Sequence, residues 1–472
     1  MTFLFLVLLT FSYGYGQTTG TAEEPHKAVK GKTNFVIIFA DDLGYGDLSS
    51  YGHPTIRTPN LDQMAHEGQK WTNFYVGASV CTPSRAALMT GRLPVRNGMT
   101  SNVNRVLFPD SHNGLPQTEV TIAEQMKKAG YATACIGKWH LGHKEEYLPT
   151  SNGFDSYFGI PYSNDMDNVI PFRSAGGYFE FWKSEERKDI NTFNVPLMRN
   201  TEIVERPADQ HTITKRYTEE AVKFIKEKKD EPFFLYLAHN LPHVPLFASG
   251  DFEGTSPRGL YGDVVEEIDH GVGQVLKALK DNGLAETTIV VFTSDNGPWL
   301  IMNEEGGSAG LLRNGKGSTW EGGMREPCIF WAPGRISPGI VTDMGTTMDL
   351  FTTFSKMVGV PIPDDRIIDG VDLGPTLFEG AKGARNDMFY YRGDRLYAAR
   401  VGDYKAHFIT QEPYAPEVVE HKIPLLYNLS VDPSEKYDIS SSHPDVIEKI
   451  MGVIKEHESN MVKGPDQLKD RG

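Results

Sequence analysis

Four unbroken apolar stretches, each ending on a cluster of acids, amides, lysines or histidines, constrain this chain more than anything else in it. Asn34–Ala40 runs into Asp41-Asp42, and Tyr131–Ile136 into Gly137-Lys138-Trp139-His140. Pro232–Ala238 runs into His239 and then His243-Val244-Pro245, and Thr288–Thr293 into Ser294-Asp295-Asn296-Gly297. Residues apolar at successive positions fit strands covered on both faces, as in a parallel sheet. Helical patterns lie between them: Asn60–Glu67, Ile122–Ala129 stopped by Gly130, Tyr217–Lys228, and Val264–Lys280 with Gly283 as its stop. The alternation predicts an α/β fold, a large mixed, mainly parallel sheet flanked by helices. Ligands of such sheets bind beyond the carboxyl ends of the strands, where all four polar clusters fall. Asp41-Asp42 alone reads equally well as a turn or a helix cap. Four coincident clusters make a site.

A second stretch is Cys81-Thr82-Pro83-Ser84-Arg85-Ala86-Ala87-Leu88-Met89-Thr90-Gly91-Arg92. Pro83 suits a first helical position, Gly91 suits a helix stop, and the residues between favour helix. Cys81 then lies at or just before the positive end of a short helix, with Arg85 beside it. Such surroundings attract oxyanions and lower a thiol's pKa, as for a cysteine nucleophile facing an anionic substrate. A structural cysteine capping a core helix would carry the same local pattern.

Asp41, Asp42, Asp295 and Asn296 are hard oxygen donors, which suit Ca²⁺ or Mg²⁺ better than zinc. Three clustered carboxylates also repel unless a cation joins them. Arg85, Lys138, His140, His243 and Lys316 form the complementary set, cations and proton carriers for a doubly charged tetrahedral group. Lys316 sits in a loop, 303–325, that holds seven glycines. Residues 163–207 are polar and irregular, the kind of loop that sets substrate preference over such an edge.

The order Cys-x-Pro-Ser-Arg, with Thr90-Gly91 five residues after Arg85, resembles the signature of the type I sulfatases. Asp41-Asp42 with Gly44-Tyr45-Gly46-Asp47, Gly137-Lys138-Trp139-His140-Leu141-Gly142, His243-x-Pro245, Ser294-Asp295-Asn296-Gly297 and the loop with Lys316 are similar to that family's blocks, in its order. Tyr427-Asn428-Leu429 with Asp432-Pro433 and Glu435 is similar to its C-terminal block. The chain looks most like the group containing arylsulfatase A and N-acetylgalactosamine-6-sulfatase. The resemblance implies an alkaline-phosphatase-like fold and hydrolysis of a sulfate monoester. It implies a formylglycine made from Cys81 by the formylglycine-generating enzyme, and one calcium ion held by Asp41, Asp42, Asp295, Asn296 and an oxygen of residue 81. Arg85 and Lys138 would hold the hydrate, Asp295 would help activate it, and His140 would take a proton in the step that restores the aldehyde. His243 and Lys316 would bind the sulfate and assist the leaving group, with Ser163 a further sulfate contact. The family pattern favours His243 over His239, which lies nearer the strand.

Two other readings stay open. A phosphatase or phosphodiesterase of the same superfamily would need a His-rich two-zinc set; a secreted binder of sulfated ligands would need no catalytic residue. A net charge of −15, from 47 Lys and Arg against 62 Asp and Glu, argues against a nucleic-acid partner. It also disfavours a long polyanionic substrate unless the site is locally basic. Phe3–Phe11 is apolar but too short to span a bilayer, and Gly14 and Gly16 follow it. This predicts a signal peptide over 1–16, a flexible segment over 17–32, and a secreted or lysosomal destination without a membrane span.

From about Arg385 short runs alternate with Gly-Asp turns, then a helix spans Asp445–Glu456. These predict a catalytic domain over 33–384 and a small C-terminal α+β domain with an antiparallel sheet over 385–472. Three cysteines leave one pairing open once Cys81 is modified, and the apolar settings of Cys135 and Cys328 favour buried free thiols. Asn428-Leu429-Ser430 is an N-glycosylation sequon. The substrate class expected is a sulfated small molecule or carbohydrate, and a second copy of the chain is a further partner to consider.

Overall fold

The computed structural model describes residues 32–169 and 178–472, so the signal-peptide reading and nearly all of the 17–32 segment lie outside the described residues. A ten-stranded sheet is built from β1 (Asn34–Ala40), β2 (Gln69–Tyr75), β3 (Ala132–Gly137), β4 (Ser156–Gly159), β5 (Leu197–Arg199), β6 (Glu202–Glu205), β7 (Phe233–Ala238), β8 (Thr288–Ser294), β9 (Arg325–Trp331) and β10 (Gly339–Thr346). Its strand order is β10-β2-β9-β8-β1-β7-β3-β4-β5-β6. The four apolar runs are its adjacent centre, β8-β1-β7-β3, all parallel and with every residue buried. Side chains alternate to opposite faces, so one hydrophobic cluster takes Val36 and Ile38 with helices Ile213–Glu227 and Leu260–Asp281. The other takes Phe35, Ile37 and Phe39 with helix residues Leu88, Met126 and Phe354. The expected fold class is the one found.

Register decides where the chemistry falls. Ala40 pairs with Ser294, Phe39 with Ala238, and Gly137 with Ala238, so these four strands end level on one edge. At the last pairing the backbones approach so closely that a Cβ on Gly137 would lie 1.8 Å from the Ala238 carbonyl oxygen, with φ at +110°. Only glycine fits there.

The Cys81 stretch forms helix Cys81–Thr90, ended by Gly91 in the left-handed conformation at φ 66°. Pro83 therefore occupies the third helical position rather than the first, and every residue of the helix is buried. Four further strands, β11 (Asp387–Arg392), β12 (Arg395–Val401), β13 (Tyr404–Thr410) and β14 (Val419–Asn428), form the expected antiparallel sheet, closed by helix Pro444–Ser459. Cys81, Cys135 and Cys328 are all buried and free. Among the described residues no helix is long and apolar enough to cross a membrane.

Candidate active site

The strand ends deliver the predicted residues to one place. Asp41 and Asp42 leave β1 and Asp295-Asn296 leave β8, while Lys138 and His140 leave β3 and His243 follows β7. Helix Cys81–Thr90 points its first residue at them. Thr82 Oγ1 donates to the His140 carbonyl at 3.0 Å and accepts from the Leu107 amide at 3.1 Å, which fixes that helix against the β3 loop. Asp42 (φ 63°) and His140 (φ 59°) both adopt the left-handed backbone conformation. Each such residue costs about 1–3 kcal/mol, and strain of this kind collects at functional sites.

Charges interleave tightly. Arg85 donates to Asp295 Oδ2 at 2.9 Å and 3.1 Å and to Asp41 Oδ2 at 3.2 Å. Lys138 pairs with Asp41 and donates to Ser163 Oγ at 3.0 Å. Lys316 Nζ lies 2.7 Å from Asp42 Oδ1 and 3.6 Å from Cys81 Sγ. Burial raises the Asp41 carboxyl, but Lys138 and then Arg85 outweigh it and hold that group below its ordinary range. Compensation is incomplete for its neighbours. Burial first, and then adjacent carboxylates, push Asp42 up to about 7 and Asp295 up to about 6.

The cysteine overturns one expectation. Its thiol is pushed up, not down, because burial and the Asp41 carboxylate outweigh Lys138 and Lys316. The free thiol is therefore held protonated, and a helix N-terminus with Arg85 nearby does not make it a thiolate.

Donor chemistry fits a hard cation. Asp41, Asp42, Cys81 and His243 each offer an atom within 4.8 Å of the others. Asn296 Nδ2 donates to Asp42 Oδ1 at 2.7 Å, while its Oδ1 is buried with no hydrogen-bond partner among the described residues. A buried amide oxygen beside incompletely compensated carboxylates is the donor such an ion takes. Asp295 stands outside that four-residue group, its Oδ2 engaged by Arg85 and its Oδ1 accepting the Asp42 amide at 3.2 Å. The group holds a single histidine, unlike a two-zinc set.

Both site histidines are neutral. Burial, and then Lys138, hold His140 well below its ordinary pKa. Its Nε2 donates to the Leu107 carbonyl at 2.9 Å, which leaves the buried Nδ1, without a partner among the described residues, as the acceptor. Burial and Lys316 do the same to His243, whose Nδ1 donates to the Val244 carbonyl and whose Nε2 lies 3.6 Å from Asp42. His239 is not part of this assembly; it is absent from the pocket wall and faces the Tyr217 ring.

Above these residues opens a pocket of about 620 Å³, whose floor includes Cys81, His140, Ser163, His243 and Lys316. The sequence reading missed its walls. Trp299 sits three residues after Asn296, with its ring 5.2 Å from His243 and 4.5 Å from Lys316 Nζ; that proximity to a recognised block was the available signal. Tyr414 and Arg471 come from the C-terminal domain, where no local pattern marks them. Asn428 ends β14 outside this pocket, its Oδ1 accepting from Ser430 Oγ at 2.7 Å.

This constellation and the chain that carries it define a sulfate-ester hydrolase: residues 33–360 match the family model described as Sulfatase, and the protein belongs to that family. Residues 383–472 match the model of the C-terminal region of aryl-sulfatase. Within the family, arylsulfatase A of Homo sapiens is 41% identical over 450 residues, covering 90% of this chain and 87% of the relative. N-acetylgalactosamine-6-sulfatase of Homo sapiens is 40% identical over 475 residues, covering 92% and 87%. The crystal structure of PsFucS1 sulfatase from Pseudoalteromonas sp. aligns with a TM-score of 0.81 at 29% identity, covering 92% of each chain.

Proposed function

We propose that this sulfatase cleaves a sulfate monoester with a formylglycine hydrate generated from Cys81 and a calcium ion. The observation that carries the reading is the placement of Cys81 Sγ, 3.5 Å from Asp41 Oδ1 and 3.6 Å from Lys316 Nζ on the pocket floor. When formed, the hydrated aldehyde supplies the nucleophilic oxygen that a protonated thiol lacks. Asp41, Asp42, Asp295, Asn296 and residue 81 would hold calcium, which supplies positive charge against the sulfuryl oxygens.

The chain's own side chains do the rest. Arg85 and Lys138 anchor Asp41 and Asp295 and keep residue 81 oriented. Lys316 and Ser163, both on the pocket floor, bind the sulfate oxygens. His243 is neutral at rest, and an arriving anion raises its pKa, so that it charges only with substrate bound and can protonate the leaving alcohol. His140 already presents an unprotonated Nδ1 and takes up the proton released when the aldehyde is restored.

The substrate is a sulfated small molecule or carbohydrate, and the partner in maturation is the formylglycine-generating enzyme. We place the catalytic domain at 33–384 and the C-terminal domain at 385–472, a boundary supported by the two sheets and the two family matches. A secreted or lysosomal destination, a glycan on Asn428 and a homodimer complete the reading. Mass spectrometry of the Cys81 peptide from protein secreted by a eukaryotic host should find the aldehyde. Cys81→Ala should abolish turnover while leaving sulfate-ester binding intact; unchanged turnover would refute the mechanism.

A further inference from the structure

Beside the active-site pocket lies a second cavity of about 250 Å³, and Val80 and Arg105 belong to the walls of both. Two arginines from different domains meet there: Arg105, in the segment after the Cys81 helix, and Arg392, the last residue of β11. Nη1 of each is buried without a hydrogen-bond partner, and neither arginine is ion-paired among the described residues. Among the described residues no carboxylate lines the cavity. The third arginine on its wall, Arg395, is exposed and already paired with Glu420 at 2.5 Å. Burial, and then the charge of Arg105, push the Arg392 guanidinium down to about 10, as expected for like charges brought together away from water. Buried donors normally find acceptors, and paired guanidinium groups match the oxygens of sulfate and carboxylate.

The cavity also adjoins the chemistry. Arg105 stacks on Tyr414, with Cζ 4.3 Å from the ring centroid, and Tyr414 lines the active-site pocket. Gly317 borders the second cavity, and its neighbour Lys316 borders the first. We propose that this cavity is a second anion subsite, which takes a further sulfate or carboxylate of the same substrate molecule whose sulfate ester enters the active-site pocket. The shared wall favours one molecule spanning both cavities over a free ion. The assignment rests on the sulfatase reading for its substrate, and it supplies the local basicity that a polyanionic substrate needs on a protein of net charge −15.

The test uses two synthetic disaccharides that share one scissile sulfate and differ in a second sulfate or a hydroxyl on the neighbouring sugar. Isothermal titration with the full-length Cys81→Ala protein should show the second sulfate tightening binding by about tenfold, the scale of a charge-assisted contact. Adding Arg392→Gln should remove that gain, while Arg392→Gln alone turns over 4-nitrophenyl sulfate at the unaltered rate and so reports an intact fold. Equal affinities for the two disaccharides, or a gain that survives Arg392→Gln, would overturn the proposal. Arg392-dependent binding of inorganic sulfate without a gain for the disulfated probe would also overturn it, by assigning the cavity to a free anion. Failure of the sulfatase reading would appear separately, as an unaltered protein inert toward 4-nitrophenyl sulfate, and the titrations would still read the subsite.

Discussion

Replacing His239 by Leu should make this protein more stable in acid and leave its chemistry alone. The His239 side chain is 1% exposed, neither ring nitrogen has a hydrogen-bond partner among the described residues, and burial alone pushes its pKa down to about 4. The unfolded chain binds that proton near pH 6.5, so between pH 6.5 and 4 the unfolded state holds more protons than the folded one. Stability therefore falls as pH drops through this window and levels off below it. At pH 5 the linkage amounts to about 2 kcal/mol, against almost nothing at pH 7.5. Leu has a similar volume, removes two unpaired polar atoms and cannot titrate. Urea unfolding of both proteins at pH 7.5, 6 and 5 should show the variant gaining about 2 kcal/mol on the parent across the series. Turnover of 4-nitrophenyl sulfate should be retained, because His239 is outside the pocket wall. A difference between the two proteins that does not change with pH would refute the reasoning.

Lys405→Met should destabilise the fold by about 3–5 kcal/mol, because it leaves Glu321 and Glu435 buried without their shared ammonium, and urea midpoints would read the loss. A change under about 1 kcal/mol would show that Arg325, Arg400 and His407 suffice to hold those carboxylates. Dialysis against a calcium chelator should lower both the melting temperature and turnover, with both restored by CaCl₂. Asn296→Ala should raise the calcium concentration needed for that recovery by about ten- to a hundredfold; an unchanged requirement would remove Asn296 from the ligand set.

The site was legible in the sequence to the extent that strands buried on both faces write themselves as continuous apolar runs. β1, β3, β7 and β8 carry that signature, and their endings hold most of the chemistry. The outer strands were hidden for different reasons. β2 keeps polar residues at half-buried positions, as in Lys70, Thr72 and Asn73. β9 opens Arg325-Glu326-Pro327, charged letters on a fully buried strand. Burial holds the Glu326 carboxyl well above its ordinary range, which favours the uncharged form inside the core. Helix Ile213–Glu227 begins a turn before its readable pattern because Ile213 and Thr214 pack inward. Among the pocket walls Arg105, Tyr414 and Arg471 had no local signature, since they meet only through the docking of two domains.

That docking explains why the loop carrying Lys316 can be rich in glycine and still hold a fixed place. Lys405 donates to the Thr319 carbonyl at 2.8 Å and to Glu321 at 2.9 Å, and Glu435 accepts the Glu321 amide at 2.7 Å. Arg313 donates to the Glu435 carbonyl at 3.0 Å, and Asn314 to Glu412 at 2.6 Å. These contacts pin the loop on both sides of Lys316, and all of their partners belong to the C-terminal domain. Burial raises the Glu321 carboxyl, but Lys405, Arg325 and Arg400 together bring it down to about 2, so this carboxylate stays ionised well below neutral pH. In the proposed mechanism the C-terminal domain thus acts twice, by holding Lys316 in place and by completing the pocket wall. Loosening the domain interface should reduce turnover before it unfolds the large sheet.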